Sequence, residues 1–241
     1  MIMNLKQRIL IFAPTLNEKN NIQLWVESIA KLYSSCDLLI VDDNSSDGTI
    51  EIIKSMQQKF SNLKLHVRSE RLGIGSAHIW AFEYALQNDY DKLVTMDADL
   101  SHKPAEIQEL IYESAHSNYV VGTRATKKGG SNQSPIVRKL LSIGANKVCS
   151  MLLFSSLSEY TTSFRCYDKK SLKIITNNPP VVSDYSFFIH ISFIVKQNNL
   201  SISEVPIQFE SRKFDKSKIP RSQIFLSMRT IIKLFVRRIK E

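Results

Sequence analysis

An α/β fold with a largely parallel sheet is predicted by three observations. Short apolar runs rich in Val, Ile and Leu recur along the first half of the chain, helical patterns lie between them, and the residues with most chemistry sit directly after the runs. Residues 8–13 (RILIFA) form the first run and stop at Pro14. Residues 38–41 (LLIV) end at Asp42-Asp43, 63–67 (LKLHV) alternate, 92–96 (KLVTM) end at Asp97-Ala98-Asp99, and 119–122 (YVVG) lead into Thr123-Arg124. Such short, bounded runs read as buried strands. Helical patterns over 19–33, 49–60, 75–88 and 104–116 separate them. Further on, Ser134-Pro135 offers an N-cap followed by proline at the first helical position, which predicts a helix to about Phe154. Residues 184–197 read as another apolar helix and 201–209 (SISEVPIQF) as a strand. The last segment, 222–240, places Ile224, Met228, Ile231, Ile232, Phe235 and Ile239 on one helical face and Arg229, Lys233, Arg237 and Lys240 on another. That pattern is an amphipathic helix with a cationic face. The expected organisation is one domain over residues 1–221 and a basic C-terminal helix over 222–241.

Composition bounds the function classes. A chain of 241 residues with 43% hydrophobic and 23% charged residues suits one globular domain with a small appendage and is too apolar for intrinsic disorder. The three cysteines, Cys36, Cys149 and Cys166, are far apart and lack C-x-x-C spacing, so neither a disulfide framework nor a cysteine zinc site is expected. The N-terminus reads as a first strand rather than a secretory leader, and no apolar run reaches the roughly 18 residues that span a bilayer. A cytoplasmic protein, peripheral to a membrane surface, is the resulting expectation. The net charge of +9 is concentrated: from Arg212 to Glu241 ten basic residues face two acidic ones, and the rest is close to neutral. Such an end favours phosphates, whether of lipid, nucleotide or nucleic acid. Nucleic acid is the least expected, because no such motif is present and the tail has few aromatics beyond Phe225 and Phe235.

Asp97-Ala98-Asp99 is the strongest chemical signal. Two carboxylates at i and i+2, at the mouth of a strand, can hold Mg²⁺ or Mn²⁺ and leave positions open for phosphate oxygens; the alternative is a polar loop of two solvated acids. Asp42-Asp43 leads into Asn44-Ser45-Ser46-Asp47-Gly48-Thr49. That stretch reads both as an Asx-rich turn and N-cap, with Asp47 capping, and as a ligand site, with Asp43 accepting hydrogen bonds from a base or ribose. Gly73-Ile74-Gly75 is not a dinucleotide fingerprint, since His78 stands where the third glycine belongs. The five histidines show no metal-ligand spacing, although His102 lies near the acidic pair. Two classes of function stay open on these grounds: an enzyme acting on a phosphorylated donor, and a non-catalytic nucleotide-binding or basic binding protein.

The motifs fall in a specific order: Pro14-Thr15-Leu16-Asn17-Glu18, Val41 through Thr49, Asp97 through Pro104 (DADLSHKP), then Gly122-Thr123-Arg124. In that order the sequence resembles the family 2 inverting glycosyltransferases with a GT-A nucleotide-sugar domain. Arg138, Ser142 and Asn146 continue the resemblance as R-x3-S-x3-N. Thr161 to Arg165 (TTSFR) is similar to T-S-G-F-R, and Val205-Pro206-Ile207, Phe209, Arg212 and Ser217-Lys218 are similar to V-P-I-x-F-x2-R-x4-S-K. These point to the polyprenyl-phosphate hexose synthases of the dolichyl-phosphate mannose synthase type, over roughly residues 8–220.

The resemblance implies that Pro14, Leu16, Glu18, Val41 and Asp43 line the nucleotide pocket. Asp97, Ala98 and Asp99 would meet the sugar diphosphate and a Mg²⁺ or Mn²⁺ ion, Arg124 the donor or acceptor phosphate, and Arg138, Arg212 and Lys218 would close over the phosphates. The implied catalytic set is Asp99, Arg124, Arg138, Arg212 and Lys218, with Ser101 the third metal position beside Asp97 and Asp99. Implied partners are a nucleotide sugar (GDP-mannose or UDP-glucose), a polyprenyl phosphate, the membrane surface through the C-terminal helix, and a membrane-anchoring subunit. Four positions depart from the family pattern: Ser101 replaces a glutamine, Glu159 an aspartate, and Ser163 and Asp215 each a glycine. A rival acceptor, a hydroxyl on a growing glycan, would need a general base such as Glu159 or Asp184.

Overall fold

The structure is a computed structural model that describes residues 7–124, 130–131, 144, 146–147, 149–151, 157–180, 186–209, 230 and 232–236. Its centre is a seven-stranded sheet. The strands are β1 (Ile9–Thr15), β2 (Asp37–Asp42), β3 (Leu63–Val67), β4 (Lys92–Thr95), β5 (Tyr119–Thr123), β7 (Arg165–Asp168) and β8 (Ile202–Pro206), in the spatial order β3-β2-β1-β4-β7-β5-β8. All neighbours run parallel except β7, which is antiparallel to both β4 and β5. A separate parallel ribbon joins β6 (Gly130–Ser131) to β9 (Gln208–Phe209).

Alternation along the strands builds two apolar layers. On β1, Leu10 and Phe12 enter one core, while Ile9, Ile11 and Ala13 enter the other. Helix α1 (Ile22–Leu32) buries Ile22, Trp25, Val26 and Ile29, the i, i+3, i+4, i+7 stripe that defines a core-facing surface. With α2 (Thr49–Gln57) and α4 (Ile107–Glu113, preceded by a 3₁₀ turn at Pro104–Glu106) it covers the Ile9/Ile11 face. The Leu10/Phe12 face is covered by α3 (Ile74–Gln87), α5 (Lys169–Asn177) and α6 (Phe187–Gln197). Every residue of α6 from Phe187 to Val195 is buried, as expected of a helix that is apolar on nearly every side, with only His190 and Ser192 polar in that stretch.

Three features differ from the pattern-based expectation. The stretch 201–209 is two strands, not one: buried Ile207 breaks the run, and its N–H donates to the Thr123 carbonyl at 2.9 Å. The chain thereby leaves the main sheet for the ribbon with β6. Strand β7 and helix α5 were not expected, since four residues of mixed polarity give too short a period-2 signal to recognise. The helix start was legible, because the Asp168 side chain caps it by accepting from the Ser171 N–H at 2.7 Å. Third, within the C-terminal segment the described residues 230 and 232–236 are helical, but Thr230 and Leu234 are the buried ones. Ile232 and Val236 are 54% and 45% exposed. The Thr230 hydroxyl lies 3.1 Å from that of Ser186, so this part of the helix docks beside the start of α6. No helix among the described residues is long and apolar enough to cross a membrane.

Candidate active site

The parallel strands deliver polar residues at their C-terminal ends, the edge where open α/β sheets bind ligands. Glu18 follows β1, Asp43 follows β2, Arg68 follows β3, Asp97-Ala98-Asp99 follows β4 and Arg124 follows β5.

Asp42 and Asp43 part company. Asp42 is fully buried and accepts from the Thr15 hydroxyl (2.6 Å), the Ser45 N–H (2.7 Å) and the Ser45 hydroxyl (2.7 Å), which makes it the rivet between the β1 and β2 ends. Asp43 faces the opposite way: it accepts from the Gly73 N–H at 3.0 Å and forms an ion pair with Arg68. Arg68 in turn donates to the Gly73 carbonyl at 3.0 Å and to the Ser76 hydroxyl. Gly73 has φ of +87°, open to glycine at little cost, and both its polar groups serve this cluster. Asp47 accepts from the Thr49 N–H and hydroxyl and from the Lys19 N–H, so it starts α2 and ties down the β1 loop. In that loop the Glu18 N–H donates to the Thr49 hydroxyl (2.9 Å), and the Glu18 carboxylate accepts from Asn21 Nδ2 (2.7 Å). Pro14 and Leu16 are half-buried at the strand end, whereas Val41 is fully buried in the core layer.

At the end of β4, Asp97 is half-buried, and Ala98 and Asp99 are buried. Asp99 Oδ1 accepts from both the N–H (3.0 Å) and the hydroxyl (2.6 Å) of Ser101. Leu100 adopts φ of +62°, uncommon for a side chain of its size, and this left-handed turn brings Ser101 back onto the carboxylate. Ser101 therefore anchors Asp99. The two carboxylates are the hard oxygen donors that Mg²⁺ or Mn²⁺ takes, and an ion held by one or two carboxylates plus phosphate oxygens and water suits this donor set. Among the described residues no group of three His, Cys, Asp or Glu is placed to hold a metal. His102 is buried, its ring stacked on Phe164 at 4.9 Å and edge-on to Phe209 at 5.4 Å. Burial pushes its imidazole down to about 4, with Asp99 opposing and Arg124 adding to the shift, so it is neutral near pH 7.

Arg124 is held from two sides. Its Nε and Nη2 donate to Glu159 Oε2 at 3.0 and 2.8 Å, and its guanidinium carbon lies 4.8 Å from the centre of the Phe209 ring. Phe209 bridges back to His102, so the short β6–β9 ribbon links the β4 and β5 ends. Glu159 belongs to a loop, 157–164, that Arg165 supports from within. The Arg165 guanidinium is fully buried and donates to the carbonyls of Thr162 (2.7 Å), Tyr160 (2.7 Å) and Phe188 (3.2 Å) and to the Ser192 hydroxyl (3.1 Å). Burial lowers it to about 10, so it remains a cation. Glu204 on β8 accepts from the Ser158 N–H (2.8 Å) and hydroxyl (2.9 Å) and the Glu159 N–H (3.2 Å). Burial and the nearby Glu159 carboxylate raise its affinity for a proton. Gly122, just before this corner, is needed for close approach: a Cβ there would stand 3.1 Å from the Phe164 carbonyl oxygen.

The structure thus brings Asp97, Asp99, Ser101 and Arg124 to one edge of the sheet, with Asp43 and Glu18 on the neighbouring strand ends. Arg138, Arg212, Lys218 and Asp184 lie outside the described residues. Sequence reasoning missed Arg68 and Phe209 as site residues. Arg68 carried a signal, since it is the first residue past β3, as the other site residues are past their strands; Phe209 carried none beyond its place in the V-P-I-x-F run.

Comparison with known proteins bears on the family and the fold. The family model described as Glycosyl transferase family 2 matches residues 10–175. The chain is 32% identical over 221 residues to a polyprenol monophosphomannose synthase of Mycolicibacterium smegmatis, covering 90% of this chain and 83% of that protein. It is 29% identical over 212 residues to an undecaprenyl-phosphate mannosyltransferase of Micrococcus luteus, covering 88% and 87%. Among solved structures, glucosyl-3-phosphoglycerate synthase from Mycobacterium tuberculosis in complex with Mn²⁺, UDP and phosphoglyceric acid superposes with a TM-score of 0.71 at 16% identity, over 97% of this chain and 78% of that one. A nucleotide-sugar fold with its polar residues gathered at the strand ends, matched by the family model over most of its length, places this chain in glycosyl transferase family 2.

Proposed function

We propose that the protein transfers a hexose, mannose by preference, from a nucleoside diphosphate sugar to a polyprenyl phosphate at a membrane surface, inverting the anomeric carbon. The observation that carries this reading is the Asp97–Asp99 turn, fixed by Ser101 at the end of β4, on the same sheet edge as Arg124. The two relatives named for mannosyl transfer to polyprenyl and undecaprenyl phosphate support the sugar and the acceptor.

The chemistry follows from charge. Breaking the bond between sugar and diphosphate leaves negative charge on the leaving group. Asp97 and Asp99 are the residues that would hold Mg²⁺ or Mn²⁺, and the ion, when bound, neutralises that charge. The neighbour in complex with Mn²⁺ and UDP supports this assignment. Asp43 offers a carboxylate to the N–H groups of a base or to ribose hydroxyls, with Arg68 holding it in place. Arg124 offers a guanidinium to a phosphate oxygen. A lipid monophosphate is already anionic and nucleophilic near neutral pH, so its attack needs no general base. Glu159 fits that requirement: one oxygen is taken by Arg124 and the other by the Thr161 N–H and hydroxyl, which suits an orienting role better than proton abstraction from a glycan hydroxyl. Arg138, Arg212 and Lys218, which follow the two ribbon strands in sequence, are the further cations assigned to the phosphates in this reading. The C-terminal helix, with Ile232 and Val236 exposed beside Lys233, would rest on an anionic leaflet. The basic segment 222–241 is the part of the chain given to that contact, and a membrane-anchoring subunit would dock on the same helix.

The test offers GDP-mannose, UDP-glucose and UDP-N-acetylglucosamine, each with Mn²⁺, to the purified full chain in vesicles containing undecaprenyl phosphate. The expected product is a mannosyl phospholipid from GDP-mannose, read by mass spectrometry. Absence of sugar on the lipid phosphate with every donor overturns the reading.

A further inference from the structure

We propose that Glu159 is a positioning residue that acts through Arg124, setting the guanidinium so that the edge Glu159 does not take meets a substrate phosphate. The inference rests on the reading that Arg124 binds phosphate during sugar transfer.

The argument begins with the geometry of the fork. An arginine has five N–H donors in a plane, and Glu159 Oε2 takes two of them, from Nε and Nη2, along one edge. The edge formed by Nη1 and the second Nη2 hydrogen points away from that carboxylate oxygen, as the planar fork requires. The Phe209 ring, 4.8 Å from the guanidinium carbon, covers one face. A long side chain that would otherwise sample many rotamers is thereby limited in both rotation and tilt. The remaining edge has the spacing that receives two oxygens of one phosphate.

The carboxylate that does this is itself fixed. Glu159 is 1% exposed. Its Oε1 accepts from the Thr161 hydroxyl at 2.9 Å and N–H at 3.3 Å, and its own N–H donates to Glu204 Oε1 at 3.2 Å. Arg165 pins the same loop by its bonds to the Tyr160 and Thr162 carbonyls. A mobile surface glutamate would merely compete with phosphate for Arg124. A buried one held at three points orients the arginine before substrate arrives and lowers the ordering cost when a phosphate binds. Its negative charge also tempers the cation, so that a phosphate can leave after transfer as well as enter.

Two phosphates present the same chemistry here, the diphosphate of the donor and the monophosphate of the lipid. The experiment measures kcat and both Michaelis constants for the full-length wild type, E159Q, E159D, R124A and R124A/E159Q. E159Q keeps an oxygen for Thr161 but leaves Arg124 without its counter-charge. The expected result is a KM raised about tenfold for one substrate alone, with kcat changed less. The substrate whose KM moves identifies which phosphate Arg124 meets. E159D, which keeps the charge, recovers part of the loss, and E159Q adds nothing once Arg124 is gone. A purely structural role would lower the active fraction and leave both KM values where they were, and that result overturns the proposal. So does an undiminished E159Q effect in the R124A background. If R124A alone leaves every constant unchanged, the phosphate site itself is misplaced; if R124A is impaired while E159Q is not, only the part given to Glu159 falls. Should E159Q fail to fold, T161V, which removes the hydroxyl donated to Oε1, is expected to raise the same KM about threefold, and an unchanged value is then the contrary result.

Discussion

The strand ends around β1, β2 and β4 and those around β5 and β7 are built by different rules. Around β1, β2 and β4, carboxylates are fixed mostly by residues close in sequence: Asp99 by Ser101, Asp42 by Ser45, Asp47 by Thr49. Where a longer reach is needed, as from Asp43 to Arg68 and Gly73, it goes to the end of the next parallel strand and the start of the helix that follows it. Around β5 and β7 the anchors are distant. Arg124 is held by Glu159 and Phe209, Arg165 reaches Phe188 and Ser192 on α6, and Glu204 holds the loop at Ser158. A locally built region keeps its geometry when the rest of the protein is perturbed, whereas a region assembled from remote segments depends on the whole fold.

The largest effect expected from this contrast is chemical. Asp99→Asn preserves the size of the side chain and its oxygen for Ser101 but removes the charge that would hold Mg²⁺ or Mn²⁺. Sugar transfer should fall by about three orders of magnitude. The midpoint of thermal unfolding should hardly move, because the turn is closed by its own residues. Treating the wild type with a chelator should reproduce the loss, and returning Mn²⁺ should reverse it only in the wild type. A D99N variant that keeps most of its transfer activity would break the β1–β4 half of the comparison.

Arg165→Met tests the other half. The substitution leaves the carbonyls of Tyr160 and Thr162 buried without their donor, at a cost of about 3 kcal/mol. For a chain of this length that corresponds to a fall of roughly 6–12 °C in the unfolding midpoint. Nucleotide affinity, measured by calorimetry well below the midpoint, should stay near the wild-type value if the nucleotide sits on the locally anchored strand ends of β1, β2 and β4. Loss of nucleotide binding in step with stability would show that the two halves are not separable.

The same division explains what could be read from the sequence. Asp97-Ala98-Asp99 and the Asp42–Thr49 stretch were visible because their hydrogen bonds run between residues two or three apart, and such spacings survive in a linear string. The strands β1, β2, β4 and β5 were visible because buried parallel strands are mostly apolar runs, and β3 because its half-buried run alternates. The pairing of Arg124 with Glu159 was not visible. Glu159 stood out as a candidate base and as a departure from the family's aspartate, and nothing in its neighbours says that a cation 35 positions earlier would claim it. Strand β7 was missed for a related reason: Arg165 and Asp168 interrupt its pattern, one as a buried donor and the other as a helix cap. The bend at Ile207 was hidden because the 201–209 pattern alternates through it, while the change of partner from β5 to β6 is a tertiary event.

The smallest effect lies at the seam between the halves. His78, on α3, is fully buried against Phe12 of β1 and against Phe187 and Phe188 of α6, with ring centres 5.0, 5.5 and 5.0 Å away. Its Nδ1 lies 2.8 Å from the Ile74 carbonyl, which requires the proton on that nitrogen, and its Nε2 has no hydrogen-bond partner among the described residues. Burial pushes the imidazole down to about 3. The unfolded chain takes up this proton near pH 6.5 and the folded protein does not, so the stability gained by keeping the ring neutral is complete above pH 6.5. It drains away as the pH falls toward 3, at up to about 1.4 kcal/mol per unit. His78→Phe replaces the ring by one with no proton to bind. In urea unfolding at pH 7.5 and 5.5, the wild type should lose about 1 kcal/mol more than the variant between the two values. The sign is the informative part. If the two proteins lose stability equally, the ring is not sealed between the layers, and α6 does not pack on α3 and β1 as tightly as its burial implies.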